Sequence, residues 1–445
     1  MKLSKISLST VEYKTEYIMA NIQKRHIQNI IKFGLAGFAK VLSAIVGFMA
    51  TVLITRNMSG DEAGSFLLGL TLVTILHVIL RLGLSNVVLR LLSSGQDYEI
   101  AQGKLNRSLI WVSTATIPVF LCFFFGADMI ASGVFNKPEF GPTLKWISPA
   151  IPMMSIYFLL SSAFQSQERV VLTTFFQNLG GMSLFILCFI GLGYFRVVDS
   201  FSAELASKTF SAATLIICIL AVTLWFCQAK NRFTFHGYRD RELAASSIHL
   251  WLASCMGICL QWSGVLVAGA LVTSTEVAYL SAAQRTAMLI SFVLMIVNII
   301  MAPRYSRMWA NRQLTQMTKT SKMASRLMVI LVLPLVTLAL LIPEKIMALF
   351  GSGYEEAAIL FSILVLGQFI NVATGSVGWL LMMTGHEKEY NISSVISSCL
   401  TIILSVVLTM QFGVIGAAIA TAIGVSIQNI ISIFIVKSRL GFFPI

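Results

Sequence analysis

Twelve stretches of about twenty predominantly apolar residues, the length a helix needs to cross hydrocarbon, divide this chain of 445 residues. They fall near 33–55, 64–89, 108–132, 143–166, 171–195, 203–227, 245–271, 276–302, 324–347, 356–383, 390–411 and 413–436. With 57% of residues hydrophobic and 11% charged, the chain has too little polar surface to cover a water-soluble core. The fold class is therefore all-α integral membrane, with twelve transmembrane helices. Met1–Lys32 is polar, carries six Lys/Arg and lacks the short apolar stretch of a secretory signal. The seven cysteines lie in or at the ends of apolar segments with no CxxC pair, as small packing residues do, so neither disulfides nor a metal site is expected.

The charge on the connections sets the orientation. Both tails and the even-numbered connections hold 23 Lys/Arg; the odd-numbered connections hold five, Arg56, Lys137, Lys145, Arg196 and Lys345. Positive charge stays on the cytoplasmic side, which predicts a multi-pass protein with both termini cytoplasmic. The connection "RYSRMWANRQLTQMTKTSKMASR" has six basic residues and no acid, and reads as an anchor to anionic headgroups at about 1 kcal/mol per basic residue. The net charge of +13 follows from this topology, so no nucleic-acid partner is expected. Outer connections are short, which leaves no extracytoplasmic domain.

A faint internal duplication is visible. Shifting the chain by 214 lays Ser59–Gly64 over Thr273–Ala278, with Glu62 on Glu276 and Arg90 on Arg304. Spans one and two then match spans seven and eight. The predicted organisation is a polar segment 1–32, a lobe of six spans at 33–227, a cytoplasmic linker 228–244, a second lobe at 245–437 and a tail 438–445. Two lobes facing each other place a substrate between them near mid-membrane.

Four cations remain inside spans: Lys40, Arg81, Lys208 and Arg285, whereas all 19 acids sit in connections, tails or span edges. A charge at a helix centre costs at least about 2.5–3.5 kcal/mol, so such residues usually face a bundle interior or a wet cavity. Lys208, a few residues into its span, suits snorkelling to the interface. Lys40, seven residues in, suits either role. Arg81 and Arg285 lie deeper, about 14 Å from the nearer end of their spans at 1.5 Å per residue. His77 and Ser85 stand four residues either side of Arg81, on one helix face. Ser281 and Gln284 accompany Arg285, Gln368 and Asn371 share a stripe of span ten with Gly375, and Gln261 lies in span seven. Singly, each polar residue reads as a helix-to-helix hydrogen bond; together they outline a central cationic cavity. The candidate substrate-binding set is Arg81, Arg285, Lys40, His77, Gln261, Gln284, Gln368, Asn371 and Lys208.

Without a carboxylate inside, a site for cationic solutes lacks its electrostatic partner. An anion fits, because guanidinium groups fork onto phosphate and low dielectric strengthens the contact. Phosphate, a nucleotide, an anionic headgroup and a pyrophosphate-linked sugar all satisfy this condition.

Several segments carry a family resemblance: "TRNMSGDEAGSF", "LRLGLSNVVLR", "TEVAYLSAAQRTAMLISFVL", "IMAPRYSRMW", "LFGSGYEEAAILFSILVLGQFINVATGSVGWLLMMTGHEKEYN" and "GVIGAAIATAIG". In this order, from about Lys32 to the end, the chain resembles the polysaccharide-exporting branch of the multidrug/oligosaccharidyl-lipid/polysaccharide (MOP) superfamily, the O-antigen and related flippases. The resemblance implies two lobes, spans one to six and seven to twelve, rocking between inward-open and outward-open forms. It implies an undecaprenyl-pyrophosphate-linked glycan moved outward across the bacterial cytoplasmic (inner) membrane, with a polysaccharide polymerase and chain-length regulator as partners. It assigns the pyrophosphate to basic cavity residues, which suits Arg81, Arg285 and Lys40. The drug-extruding branch tends to carry intramembrane acids, which this chain lacks. No cofactor is expected, and membrane potential, H+ or Na+ all remain open as the coupling, with His77 a titratable group in range.

Two rival readings stand beside this one. A membrane polymerase or ligase needs a reactive constellation in a sizeable outer loop, and the acid pairs Asp61-Glu62 and Glu355-Glu356 are sequence neighbours rather than groups set across a cleft; no enzyme is expected. An exporter of another lipid or solute is the second, and the peptidoglycan-precursor type is expected to have two further C-terminal spans.

Overall fold

Without water in the bilayer core, a spanning segment must satisfy its backbone internally, and here every crossing element does so as a helix. The computed structural model describes residues 37–93, 98–167, 169–194, 200–228 and 240–445. The expected N-terminal segment 1–32 and the linker residues 229–239 lie outside the described residues. Among the described residues, twelve helices are long and apolar enough to span. Spans 1 to 6 are Gly37–Asn57, Gly60–Ile79, Glu99–Phe125, Pro138–Ser166, Val171–Tyr194 and Ala203–Phe226. Spans 7 to 12 are Leu250–Leu271, Ser274–Ala310, Leu314–Leu341, Tyr354–Met383, Glu387–Phe412 and Val414–Leu440. Each expected stretch has its helix.

Span 4 packs on spans 3 and 6, and span 5 on span 6; in the second half, span 12 packs on spans 10 and 11, and span 11 on span 7. The two groups meet chiefly where span 2 lies along spans 8 and 7. This is a two-lobed bundle with span 2 as the seam.

At one end of the seam the duplicated sequence is structurally explicit. Ser59 caps span 2 by accepting from Glu62 N at 3.3 Å, and Thr273 caps span 8 by accepting from Glu276 N at 3.3 Å. Each hydroxyl satisfies a helix-terminal amide that has no partner within its helix. Asp61 and Thr275, 214 residues apart, then meet: Asp61 Oδ1 accepts from Thr275 N at 3.2 Å and from Thr275 Oγ1 at 2.7 Å. Equivalent positions of the two halves thus touch, as at a two-fold axis, and the carboxylate lies against the positive end of the span 8 dipole. Gly64 permits the approach, since a Cβ there would stand 1.7 Å from Ser274 O. Glu62 accepts from Ala203 N at the start of span 6, and Arg56 Nε donates to Leu349 O at 2.8 Å. We refer to this as the capped end.

Lys137, in the connection before span 4, is 7% exposed at this end and its Nζ has no hydrogen-bond partner. Burial pushes its amine below the ordinary range, while Glu139, Glu276 and Asp61 pull it back up. An amine lowered by burial regains its proton on exposure, so acid favours opening of this end and alkali favours closure.

The structure corrects the expected span at 64–89. The helix of span 2 stops at Ile79, passes through Leu82 and Gly83 at φ +53° and +70°, and resumes as Leu84–Ser93. The break is held from the other lobe: Trp251 Nε1 donates to Ile79 O at 2.7 Å, and a Cβ on Gly83 would lie 2.5 Å from Trp251 N. Ile79 O also accepts from Leu82 N at 3.1 Å within the turn, so the indole adds a second bond from the other lobe to a carbonyl at the break. Span 8 also departs from expectation, running to Ala310 with a 3-10 turn at Met288–Ser291.

Two outcomes are expected. Gly64→Ala forces spans 2 and 8 apart and destabilises the purified protein by about 1–3 kcal/mol, whereas Gly133→Ala, which meets nothing within 4 Å, leaves the unfolding midpoint unchanged. Lys137→Met removes an unpartnered buried ammonium and raises that midpoint by the equivalent of about 1–3 kcal/mol; a lower midpoint would show the ammonium to be paired.

Candidate functional site

Arg81 occupies the break in span 2. Its Nε donates to His77 O at 3.1 Å, its Nη1 donates to Ser85 Oγ at 3.2 Å, and its Cζ lies 4.9 Å from the centre of the Phe158 ring. The expected triplet His77, Arg81 and Ser85 does assemble, across an interruption rather than along one helix face. His77 is buried with its ring 4.8 Å from Phe158, and its Nδ1 has no partner. Span 4 therefore supplies an aromatic plate on which both side chains rest.

In the second lobe Arg285 lies over Trp262 of span 7, Cζ to ring centre 4.9 Å. Its Nε and Nη2 are buried and have no hydrogen-bond partner. An unmade bond from a buried charged donor costs more than that from a neutral one, so this guanidinium is held at an energetic penalty. Gln284 Nε2 donates to Gln261 O at 3.4 Å, and Gln261 Nε2 lies 3.4 Å from Met288 Sδ, tying spans 7 and 8 around the cation. Among the described residues, neither Arg81 nor Arg285 has an acidic partner.

The other candidates sort by geometry. Gln368 Oε1 accepts from Ser291 Oγ and, at 3.4 Å, from Asn371 Nδ2; Asn371 Nδ2 also reaches Ser291 Oγ at 3.3 Å. Asn371 Oδ1 accepts from Asn429 Nδ2 at 3.0 Å. These amides bind spans 8, 10 and 12 to one another, so most of their polar atoms are already engaged. Lys40 Nζ reaches Met295 Sδ at 3.6 Å, bridging span 1 to span 8. Lys208 stands apart: it pairs with Glu204 at 2.7 Å, half-exposed, and its Nζ lies 4.7 Å from the Trp146 ring centre. The sequence reading that the span cations lack counter-charges is thus corrected at Lys208, because one helical turn brings Glu204 alongside it.

Sequence reasoning missed Phe158, Trp262, Trp251, Ser291 and Asn429. Trp262 had one usable signal, its place beside Gln261; a phenylalanine in an apolar span has none.

The two arginines are expected to differ in sign when removed. Arg285→Met deletes buried donors without partners and raises the stability of the purified protein by about 1–3 kcal/mol; Arg81→Met breaks two hydrogen bonds and lowers it by about 1–3 kcal/mol. Thermal unfolding in detergent measures both, and equal losses would show that Arg285 is bonded within the fold.

A family described as polysaccharide biosynthesis protein matches residues 31–309. The probable low-salt glycan biosynthesis flippase Agl15 of Haloferax volcanii is 21% identical over 400 residues, covering 88% of this chain and 80% of its own. Among solved structures, an inward-facing MATE family multidrug transporter of the MOP superfamily superposes with TM-score 0.74 at 13% identity, over 90% of this chain and 94% of that one. The lipid II flippase MurJ, in an inward closed conformation, superposes with TM-score 0.73 at 15% identity, over 91% of this chain and 87% of that one. These relatives are flippases and transporters, not enzymes. Matched over well more than half its length, the chain is a multi-pass membrane protein of the MOP fold and belongs to the polysaccharide biosynthesis protein family.

Proposed function

We propose that this protein is a flippase that carries a polyprenyl-pyrophosphate-linked oligosaccharide between leaflets by alternating access, with undecaprenyl as the carrier and an O-antigen-like repeat unit as the glycan. The observation that carries this reading is the pair of guanidiniums on the seam, Arg81 and Arg285, with no acid beside them among the described residues and with two buried Arg285 donors unpartnered there. Such donors suit a phosphate oxygen in a low-dielectric setting. Sugar hydroxyls and pyrophosphate entering hydrocarbon would lose water contacts at several kcal/mol per unsatisfied group, and a polar seam between lobes removes most of that barrier. The prenyl tail stays in the bilayer throughout.

In this reading the capped end faces outward across the bacterial inner membrane and both termini are cytoplasmic, because basic connections cluster at the other end. A negative-inside potential favours outward movement of an anion by about 2.3 kcal/mol per charge per 100 mV. Voltage then suffices as the drive, and His77, packed on Phe158, serves as a structural ring. The exported unit passes to a polymerase and its chain-length regulator.

Deletion of the gene is expected to leave complete lipid-linked units in the cytoplasmic leaflet, measured by their resistance to a glycosidase added outside. Arg81→Ala and Arg285→Ala are expected to fail to restore export, and Arg81→Lys to restore part of it. Exported but unpolymerised units would indicate a polymerase instead, and normal surface polysaccharide in both alanine variants would remove the arginines from the mechanism.

A further inference from the structure

Arg81 and Arg285 do not share a depth. Spans 2 and 8 start side by side, where Asp61 bonds Thr275 and a Cβ on Gly60 would stand 2.8 Å from Thr275 Cγ2. Twenty residues separate Asp61 from Arg81, and ten separate Thr275 from Arg285. At 1.5 Å per residue, Arg81 lies about 15 Å further from the capped end. Span 7 provides a second ruler. Ile79 and Gly83, flanking Arg81, meet Trp251, whereas Arg285 rests on Trp262, eleven residues along the same helix. That is about 16 Å, in agreement with the first estimate.

Side-chain reach does not close this gap. Arg81 is fixed by His77 O and Ser85 Oγ, and Arg285 by the face of Trp262. Lys40, by contrast, joins the Arg81 level: it meets Met295, which lies twenty residues beyond Thr275 just as Arg81 lies twenty beyond Asp61. One level therefore holds two cations from the first lobe, and the other holds a single cation from the second lobe.

We infer that the pyrophosphate is held in turn at two stations: Arg81 and Lys40 capture it at the level far from the capped end, and Arg285 receives it about 15 Å further on. The inference rests on the proposed cargo and adds an order of events. Passage needs sites that bind strongly enough to admit an anion yet weakly enough to release it, and two separated stations meet both demands better than one strong clamp. Arg81, with two of its five N–H donors bonded within its lobe, offers the other three to a ligand while staying anchored, which suits brief capture. Arg285, with two buried donors free of protein partners, suits the step that commits the cargo.

The test uses the full-length protein in proteoliposomes with farnesyl pyrophosphate as the probe, measuring equilibrium binding and the arrival of the pyrophosphate at the far leaflet by exposure to an added phosphatase. Arg81→Gln is expected to weaken binding about tenfold or more, with transfer recovering at saturating probe. Arg285→Gln is expected to leave binding within about twofold and to slow transfer about tenfold or more even at saturation. Arg81→Lys and Arg285→Lys should each restore part of the corresponding loss, which a merely misfolded variant would not show. Equal loss of binding in both glutamine variants would overturn the two stations in favour of a single clamp and leave the flippase reading standing. Wild-type protein that neither binds nor transfers the probe would overturn both.

Discussion

A guanidinium at membrane depth is the constraint around which this bundle is built. Nothing in an apolar span rewards such a group, so its persistence requires either a counter-charge or a polar use. Lys208 takes the first course with Glu204. Arg81 and Arg285 take neither an Asp nor a Glu among the described residues; each rests instead on an aromatic face, Phe158 or Trp262, whose quadrupole offsets part of the charge without neutralising it. The site therefore retains positive potential for a ligand, at the expense of unmade hydrogen bonds at Arg285.

The seam that carries these cations is also the line along which the lobes must part. Its capped end is closed by polar contacts between the lobes, Asp61 on Thr275 and Arg56 on Leu349, beside the close approach at Gly64. Helix-terminal amides can exchange a carboxylate for water once they reach an interface, so this closure is reversible in a way that interlocked apolar packing is not. Toward the other end, span 2 meets span 7 where the Trp251 indole donates to Ile79 O beside the helix break and Gly83 packs on the span 7 backbone. The seam thus carries small, polar, breakable contacts at its capped end, while one apolar core runs through both lobes.

Much of this was legible in the sequence, because span length, basic connections and intramembrane polar residues follow directly from the solvent properties of a bilayer. The 214-residue shift proved informative beyond its statistics, since it pairs two residues, Asp61 and Thr275, that touch. What escaped was whatever depends on three-dimensional register. The break after Ile79 needs a leucine at positive φ, which no composition announces, and Gly83 reads equally as a tolerated helix residue. The depth difference between Arg81 and Arg285 was implied by the 214-residue shift, which lays Arg81 over Met295, ten residues beyond Arg285, but only the Asp61–Thr275 contact fixes both spans to one level. Gln368 and Asn371 share a stripe as their spacing required, but only coordinates reveal that Ser291 and Asn429 occupy their hydrogen-bonding atoms.

The most direct measurement is a cryo-electron microscopy map of the protein in lipid nanodiscs saturated with a prenyl pyrophosphate. The account places phosphate density within hydrogen-bonding distance of a seam guanidinium, with no carboxylate alongside. Density confined to other surfaces, with Arg81 and Arg285 directed at acyl chains or paired with Asp or Glu, would contradict it.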